Sequence, residues 1–372
     1  MGRKKTTINL IQDLATPHNN VLIEQFVGRA DTEIKLWYVK PHDSVRYQWS
    51  SDISQQHCPA NYYGERLNIG FLRYCFAHKH EKFVIVGWMN INTRFLHLLF
   101  FLLRRPFNHW TDLPNPTSDD VSITKKFMRW AVYKMLRYSH CKVFGVGKIT
   151  MDCFRKCGFT ENMLVNLPIF VAVDEDIPVY RCRRSELFEH YAVPNDGFLL
   201  SAGSRLIFEK GYDLLIRSIA ELTPKLRNKV KLVIVGSGDE TDSLNKLIID
   251  LNLTMAVRIE KWLDINDFKS LIANSDIFLH PARFDSYGGT TLGMALGVPV
   301  IGSSGAGAAV DRIDNGVNGF IYEATDIQSL AGYITRLLND AELRQRMGDA
   351  GRKTALQWHP RPAIPTQPHQ ND

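Results

Sequence analysis

Short apolar runs alternate with amphipathic stretches along most of the chain. Runs at 7–11 (TINLI), 34–39 (IKLWYV), 83–87 (FVIVG), 143–147 (VFGVG), 198–203, 231–236 (KLVIVG), 257–259, 277–280 (IFLH) and 298–302 (VPVIG) predict strands. Between several of them apolar positions recur at helical spacing, as in 212–222, 240–252, 266–274 and 327–338. Strands that alternate with crossover helices build parallel sheets, so the pattern predicts an α/β protein with two Rossmann-like halves. The Pro- and charge-rich stretch 167–196 interrupts the alternation, which then restarts. This predicts a first domain at 1–170, a linker at 171–195 and a second domain at 196–358. The polar, Pro-rich end at 359–372 reads as a disordered tail.

Two stretches have unusual faces. Projected at about 100° per residue, segment 122–140 puts Phe127, Met128, Ala131, Val132, Met135 and Leu136 on one side. Lys126, Arg129, Trp130, Tyr133, Lys134 and Arg137 fall on the other. The helix reads either as core-packed with a solvated basic back or as a basic, aromatic face docking on anionic lipid. The run FLHLLFFLLRR at 95–105 is more apolar than a surface helix requires. It reads as a buried crossover helix or as a deeper part of the same membrane contact.

Composition narrows the class. A chain of 372 residues is too long for one ordinary core. With 45% hydrophobic and 23% charged residues it has the make-up of a soluble globular protein. The net charge of +6 suits an anionic small molecule or an anionic membrane surface, and is too weak to argue for nucleic acid. No apolar run approaches the ~18 residues of a membrane span, and the N-terminal run is too short for a secretion signal, so a cytoplasmic location is expected. Six cysteines without a CxxC pair read as free thiols, and no metal site or cofactor is expected.

The chemistry gathers at the ends of strands, where open parallel sheets bind ligands. After 198–203 comes GSRLIFEKG, in which Arg205 and Lys210 follow Gly203 and Ser204. A planar cationic fork and a mobile ammonium suit a diphosphate. After 231–236 comes GSGDE, with Gly236 and Gly238. After 277–280 comes PARFDSYGGTT, with Asp285, Ser286, Tyr287, Gly288, Gly289 and Thr290. After 298–302 comes a Gly/Ser loop. Glycines let backbone N–H groups approach a ligand. In the first half, Pro17, His18, Asn19 and Asn20 form a polar turn after the first strand. NHWTDLP at 108–114 offers His109 or Asp112 at another strand end, and VDEDIP at 173–178 reads as a solvated loop.

In order and spacing, GSRLIFEKGYDLLI, LVIVGSGDE, SDIFLHPARFDSYGGTTLGMALGVPVIGS and NGVNGFIYEATD resemble the nucleotide-sugar domain of the retaining family 4 glycosyltransferases with the GT-B fold. The likeness runs over roughly 198–358, and GVGKITMDCFRKCGF at 145–159 is similar to that family's bridge. It implies two Rossmann-like domains with parallel sheets facing a central cleft. It also implies sugar transfer from a nucleotide-sugar donor to a glycan or lipid-linked acceptor, with retention and without a metal, in bacterial surface-polysaccharide assembly. Arg205 and Lys210 then hold the donor pyrophosphate, Asp285 reads sugar hydroxyls, and residues 286–290 approach the sugar phosphate. His109 and Asp112 face donor or acceptor, and His18, Asn19 and Asn20 the acceptor. The family's second motif glutamate is missing, because Leu292 and Gly293 occupy the candidate positions. Two alternatives share this fold: a nucleotide-sugar epimerase and a catalytically silent homologue acting as a partner.

Overall fold

The computed structural model describes residues 5–14, 22–24, 31–41, 59–88, 90–112, 123–169, 171, 173 and 177–357. The chain divides into two compact units, the first taking in residues 1–170 and the second Val171–His359.

Among the described residues, the first unit holds strands β1 (Thr6–Gln12), β2 (Thr32–Tyr38), β3 (Ala60–Tyr62), β4 (Lys82–Val86), β5 (Phe107–Thr111), β6 (Cys141–Gly145) and β7 (Leu164–Asn166). They form one parallel sheet in the order β3-β2-β1-β4-β5-β6-β7. The chain therefore steps outward from β1 in one direction and from β4 in the other. Right-handed crossovers place the helices that lead into β4, β5 and β6 on one face of the sheet. These are Ile69–Ala77, Ile91–Leu102 and Ile123–Arg137. Phe71, Cys75, Leu96, Phe100 and Leu136 from them pack with Phe83, Ile85, Phe107 and Val143 of the strands.

Two expectations about these helices need correction. In Ile123–Arg137 the inward face is turned from the projected one: Phe127 and Met128 are exposed, whereas Tyr133 points in. Its ring lies 5.2 Å from Phe154 and 6.4 Å from Phe159. Tyrosine has a large apolar body, and treating it as polar rotates the projection. The apolar run after residue 95 is only half buried: Leu96 and Phe100 enter the core, while Phe95, Leu98, Leu102 and Leu103 stay exposed.

The second unit carries β8 (Phe198–Gly203), β9 (Val230–Val235), β10 (Val257–Glu260), β11 (Ile277–His280), β12 (Val300–Ser303) and β13 (Phe320–Tyr322). Their order is β10-β9-β8-β11-β12-β13, again parallel. β9 is buried at every position because helices cover both faces, which explains its unbroken apolar run. The stretch expected as a linker instead contains helices Ile177–Arg181 and Arg184–His190. Leu187, Tyr191 and Val193 from it pack with Leu199, Val233 and Leu271, so apolar burial joins it to the second unit. The acids at 174–176 and the 359–372 tail lie outside the described residues.

Candidate functional site in the second unit

In the second unit the strand order reverses between β8 and β11, and ligands of open α/β sheets bind outside the carboxyl ends at such a point. The loops that leave these two strands carry Arg205 and Lys210 from β8, and Asp285 and Gly288 from β11. They are tied together. Arg283 makes a two-pronged ion pair with Asp213 at 2.6 and 2.7 Å and donates to the Phe208 carbonyl at 3.0 Å. The Phe284 amide donates to the Glu209 carbonyl at 2.9 Å. The loop after β12 adds a second clamp. The Asp285 amide donates to Gly305 O, Gly307 N–H to Asp285 O, and Ala308 N–H to Tyr287 O. The backbone that carries Asp285 is thus fixed on both sides.

At the centre, Lys210 Nζ lies 2.5 Å from Asp285 Oδ2. His280 Nε2 approaches the same oxygen to 3.1 Å, and its Nδ1 lies 2.8 Å from Thr290 Oγ1. A carboxylate only accepts, so Nε2–H donates to Asp285, and Nδ1 pairs with the Thr290 hydroxyl. Asp285 Oδ1 meets only the Tyr287 amide among the contacts resolved, at 3.4 Å. Burial by itself would raise the Asp285 carboxyl. The hydrogen bond from His280 and the Lys210 charge outweigh it and hold the group well below its ordinary value of 3.8. Asp285 therefore stays ionised. Gly288 has φ +81°, and a Cβ there would fall 2.5 Å from Asp285 Oδ2 and 2.4 Å from His280 Cε1. Glycine alone fits above the buried pair, with its own backbone exposed.

Of the residues read from sequence, the structure brings Lys210, Asp285, Gly288 and Gly289 together. Arg205 is exposed on the neighbouring loop. Thr290 is buried and acts through His280. The Tyr287 side chain turns inward, where its hydroxyl accepts from Arg312 Nε at 3.0 Å. Ser204 faces the Tyr212 hydroxyl at 2.7 Å, and a Cβ on Gly203 would meet Phe268. Gly236 and Gly238 serve loop packing: a Cβ on them would fall 2.0 Å from Ser204 O and 2.3 Å from Leu206 O. Ser286 is half-buried between the two clamped loops.

In the first unit His109 does not end a strand at an open site. It sits mid-strand in β5, 1% exposed, with Nδ1 3.0 Å from His97 Nε2. Apolar packing on that sheet face has taken it inward. Asp112 is exposed just past β5, whereas His18, Asn19 and Asn20 lie outside the described residues. The second unit also holds a site residue that sequence reasoning missed. His280 closes the apolar run IFLH and so reads as core; its position as the last residue before PARFDS was the available signal.

The positions considered for the second acid face the fold. Gly293 belongs to helix Thr290–Ala295, and a Cβ there would fall 2.8 Å from Val300 Cγ2 and 2.9 Å from Phe278 Cδ1. Leu292 packs against the cluster of Phe278, Met294 and Val300.

Residues 183–354 match the family model described as Glycosyl transferases group 1. Over 166 residues the chain is 32% identical to the capsular polysaccharide biosynthesis glycosyltransferase CapM of Staphylococcus aureus, covering 44% of this chain and 43% of that protein. Over 229 residues it is 29% identical to a GDP-mannose-dependent alpha-(1-6)-phosphatidylinositol monomannoside mannosyltransferase of Mycolicibacterium smegmatis, covering 59% of each. The chain spans about half the length of the curated relatives it matches. Among solved structures, Anabaena Alr3699/HepE in complex with UDP superposes with a TM-score of 0.72 at 19% identity, over 95% of both chains. WaaG, a glycosyltransferase involved in lipopolysaccharide biosynthesis, gives 0.67 at 14% identity, over 94% of this chain and 95% of that one. These likenesses identify the fold as GT-B.

Proposed function

We propose, from the premise that the second unit belongs to the glycosyl transferases group 1 family, that the chain moves a hexosyl or N-acetylhexosaminyl group from a nucleotide-sugar donor to a glycan or lipid-linked acceptor. The observation that carries this reading is the buried Lys210–Asp285–His280 cluster under Gly288, set where β8 and β11 part. The Lys210 and Arg205 cations match a diphosphate, and the ionised Asp285 carboxylate is the acceptor for a sugar hydroxyl. The Anabaena neighbour is in complex with UDP and the mycobacterial relative is named for GDP-mannose, so UDP- and GDP-sugars are the donors to try. Capsule, O-antigen or lipopolysaccharide assembly at the inner face of the cytoplasmic membrane is the setting, with an undecaprenyl-linked glycan as one acceptor class.

The transfer proceeds with retention and without a metal. The bond from sugar C1 to the phosphate oxygen breaks, and its electron pair leaves with the nucleoside diphosphate. Lys210 and Arg205 stabilise the charge that builds there. The acceptor oxygen bonds C1 from the same face, and its proton passes to the departing phosphate. A thermal-shift screen of UDP- and GDP-sugars tests the donor site: a ligand at 100 times its dissociation constant adds ~2.7 kcal/mol. Absence of stabilisation by every one of them overturns the reading. The inward-facing Leu292 and Gly293 favour a second reading, a silent homologue, which binds nucleotide in calorimetry but releases no nucleoside diphosphate when acceptor is added.

A further inference from the structure

We propose that Cys153 and Cys157 form a two-thiolate site for a soft monovalent metal ion of the copper(I) class. The two residues lie one turn apart at the end of helix Gly147–Lys156, where the Cys157 amide donates to the Cys153 carbonyl at 3.1 Å. Both are half-buried, neither sealed in the core like Cys75 and Cys141 nor fully open like Cys182. The pair belongs to the first unit and the Lys210–Asp285–His280 cluster to the second, so the two can be tested apart.

The neighbouring helix holds this turn in place. Arg129, Tyr133 and Arg137 recur at four-residue spacing in Ile123–Arg137 and share one stripe. The Tyr133 ring packs 5.2 Å from Phe154, and Arg137 Nη1 donates to the Cys157 carbonyl at 3.4 Å. The Tyr133 hydroxyl, raised chiefly by burial, also feels Cys153, Arg129 and Cys157. The thiols are thus carried on a turn fixed by contacts that do not use the sulfurs, as a preorganised site requires.

Three features decide what the pair can do. Cβ atoms four residues apart on a helix stand about 5–6 Å from each other, whereas a disulfide needs about 3.5–4.5 Å. A direct S–S bond would have to unwind the turn; one atom bridging the sulfurs would not. Next, burial, and after it the Cys157 thiol alongside, push the Cys153 thiol above its ordinary value, and Arg129 and Lys156 offset only part of this. A thiol that keeps its proton is a poor nucleophile toward peroxides. A metal ion overrides that, because coordination drives the proton off. Finally, among the described residues no third His, Cys, Asp or Glu completes a metal cage. Structural zinc takes four ligands, whereas soft copper(I) is satisfied by two thiolates. Binding joins one copper(I) ion to both sulfurs and releases two protons, with no change of oxidation state. The complex carries one negative charge, and Arg129 and the exposed Lys156 are the cations that act on it.

Anaerobic titration of the reduced full chain against a colorimetric copper(I) chelator tests this. The parent is expected to withdraw one equivalent, with two sulfur neighbours in X-ray absorption at the copper edge. Cys153→Ala and Cys157→Ala should each lose that equivalent, while Cys182→Ser keeps it. Because two protons leave, retention by the parent should rise by about 100-fold per unit between about pH 6 and 7. Lys156→Glu should weaken retention by about 10-fold at low salt and by less at high salt. Uptake that survives either alanine substitution overturns the site. So does a pH dependence of only about 10-fold per unit, which means a single thiolate. Three or four neighbours in the absorption spectrum, or displacement of copper by equimolar zinc, overturns it as well. The spectrum and the pH series use the parent alone, so they decide even where an alanine variant folds poorly.

Discussion

Each unit buries a histidine on its parallel sheet, and the two are used in opposite ways. His109 lies in the middle of β5, with its Nδ1 against His97 Nε2, and His97 Nδ1–H donates to the Thr93 carbonyl at 2.6 Å. Burial holds both rings neutral, His97 down to about 4 and His109 well below its ordinary value. His280 is the last residue of β11, and its imidazole braces an ionised carboxylate that also holds a lysine. Burial therefore does not mark a site by itself. What distinguishes His280 is its place at a strand's carboxyl end beside the reversal of strand order, where neighbouring loops supply charge and an uncovered glycine.

The largest effect expected from this contrast is at Lys210. Lys210→Ala should lower turnover by ~10²–10³-fold, the usual loss when one donor to a developing charge is removed. Donor affinity should fall less, because the charge grows as the bond breaks. His109→Phe should leave turnover near that of the parent once folding is matched. Steady-state kinetics with separate calorimetric donor binding would expose the opposite ranking, which would return the catalytic histidine to the first unit.

Much of the second unit was legible because its signals are local. Arg205, Lys210, Asp285 and the Gly288–Gly289 pair sit next to apolar runs whose ends are easy to see. Lys210 and Asp285 meet across 75 residues of sequence, and the resemblance, not periodicity, put them at one site. Three strands escaped notice, β3, β7 and β13, each of three residues and too short to show a period. Their pairing comes from neighbours in the sheet. Helix Ile123–Arg137 was found but turned, because the side chains of Tyr133 and Phe127 are both large and apolar and the choice between them is made by Phe154 and Phe159. Gly236 and Gly238 were read as ligand glycines; the approach that requires them is to another loop of the same protein.

The next effect concerns acid. For His97 the unfolded chain takes up a proton near 6.5 and the folded chain only near 4, so the unfolded state binds more protons between these values. Stability of the first unit is then complete above 6.5 and falls as pH drops toward 4, by on the order of 3 kcal/mol. Asp285 has the opposite ordering: its folded carboxyl is held below 3.8, so its contribution persists above 3.8 and fades only under more acidic conditions. Hydrogen exchange at pH 7 and pH 5 should show the first unit loosening while the loops of the second hold. His97→Leu combined with His109→Phe should flatten the response. Equal loosening of both units at pH 5 would mean that the histidine pair is not what limits the first.

The smallest effect separates packing from recognition at the helix that follows the site. Gly293 and Gly332 are both helical glycines of the second unit, and both would gain from alanine by helix propensity, ~0.5–1 kcal/mol. Their surroundings differ. A Cβ on Gly332, in helix Ile327–Asn339, meets nothing within 4 Å, whereas one on Gly293 falls between Val300 and Phe278. Gly332→Ala should therefore stabilise the unit by that amount. Gly293→Ala should destabilise it, because overpacking a close-packed contact costs ~1–3 kcal/mol and exceeds the propensity gain. By the same geometry a Gly293→Glu side chain would enter the contact with Phe278 and Val300. Urea denaturation of the two alanine variants measures the sign directly. If Gly293→Ala stabilises as Gly332→Ala does, the helix is not seated on Phe278 and Val300, and position 293 becomes available to the ligand after all.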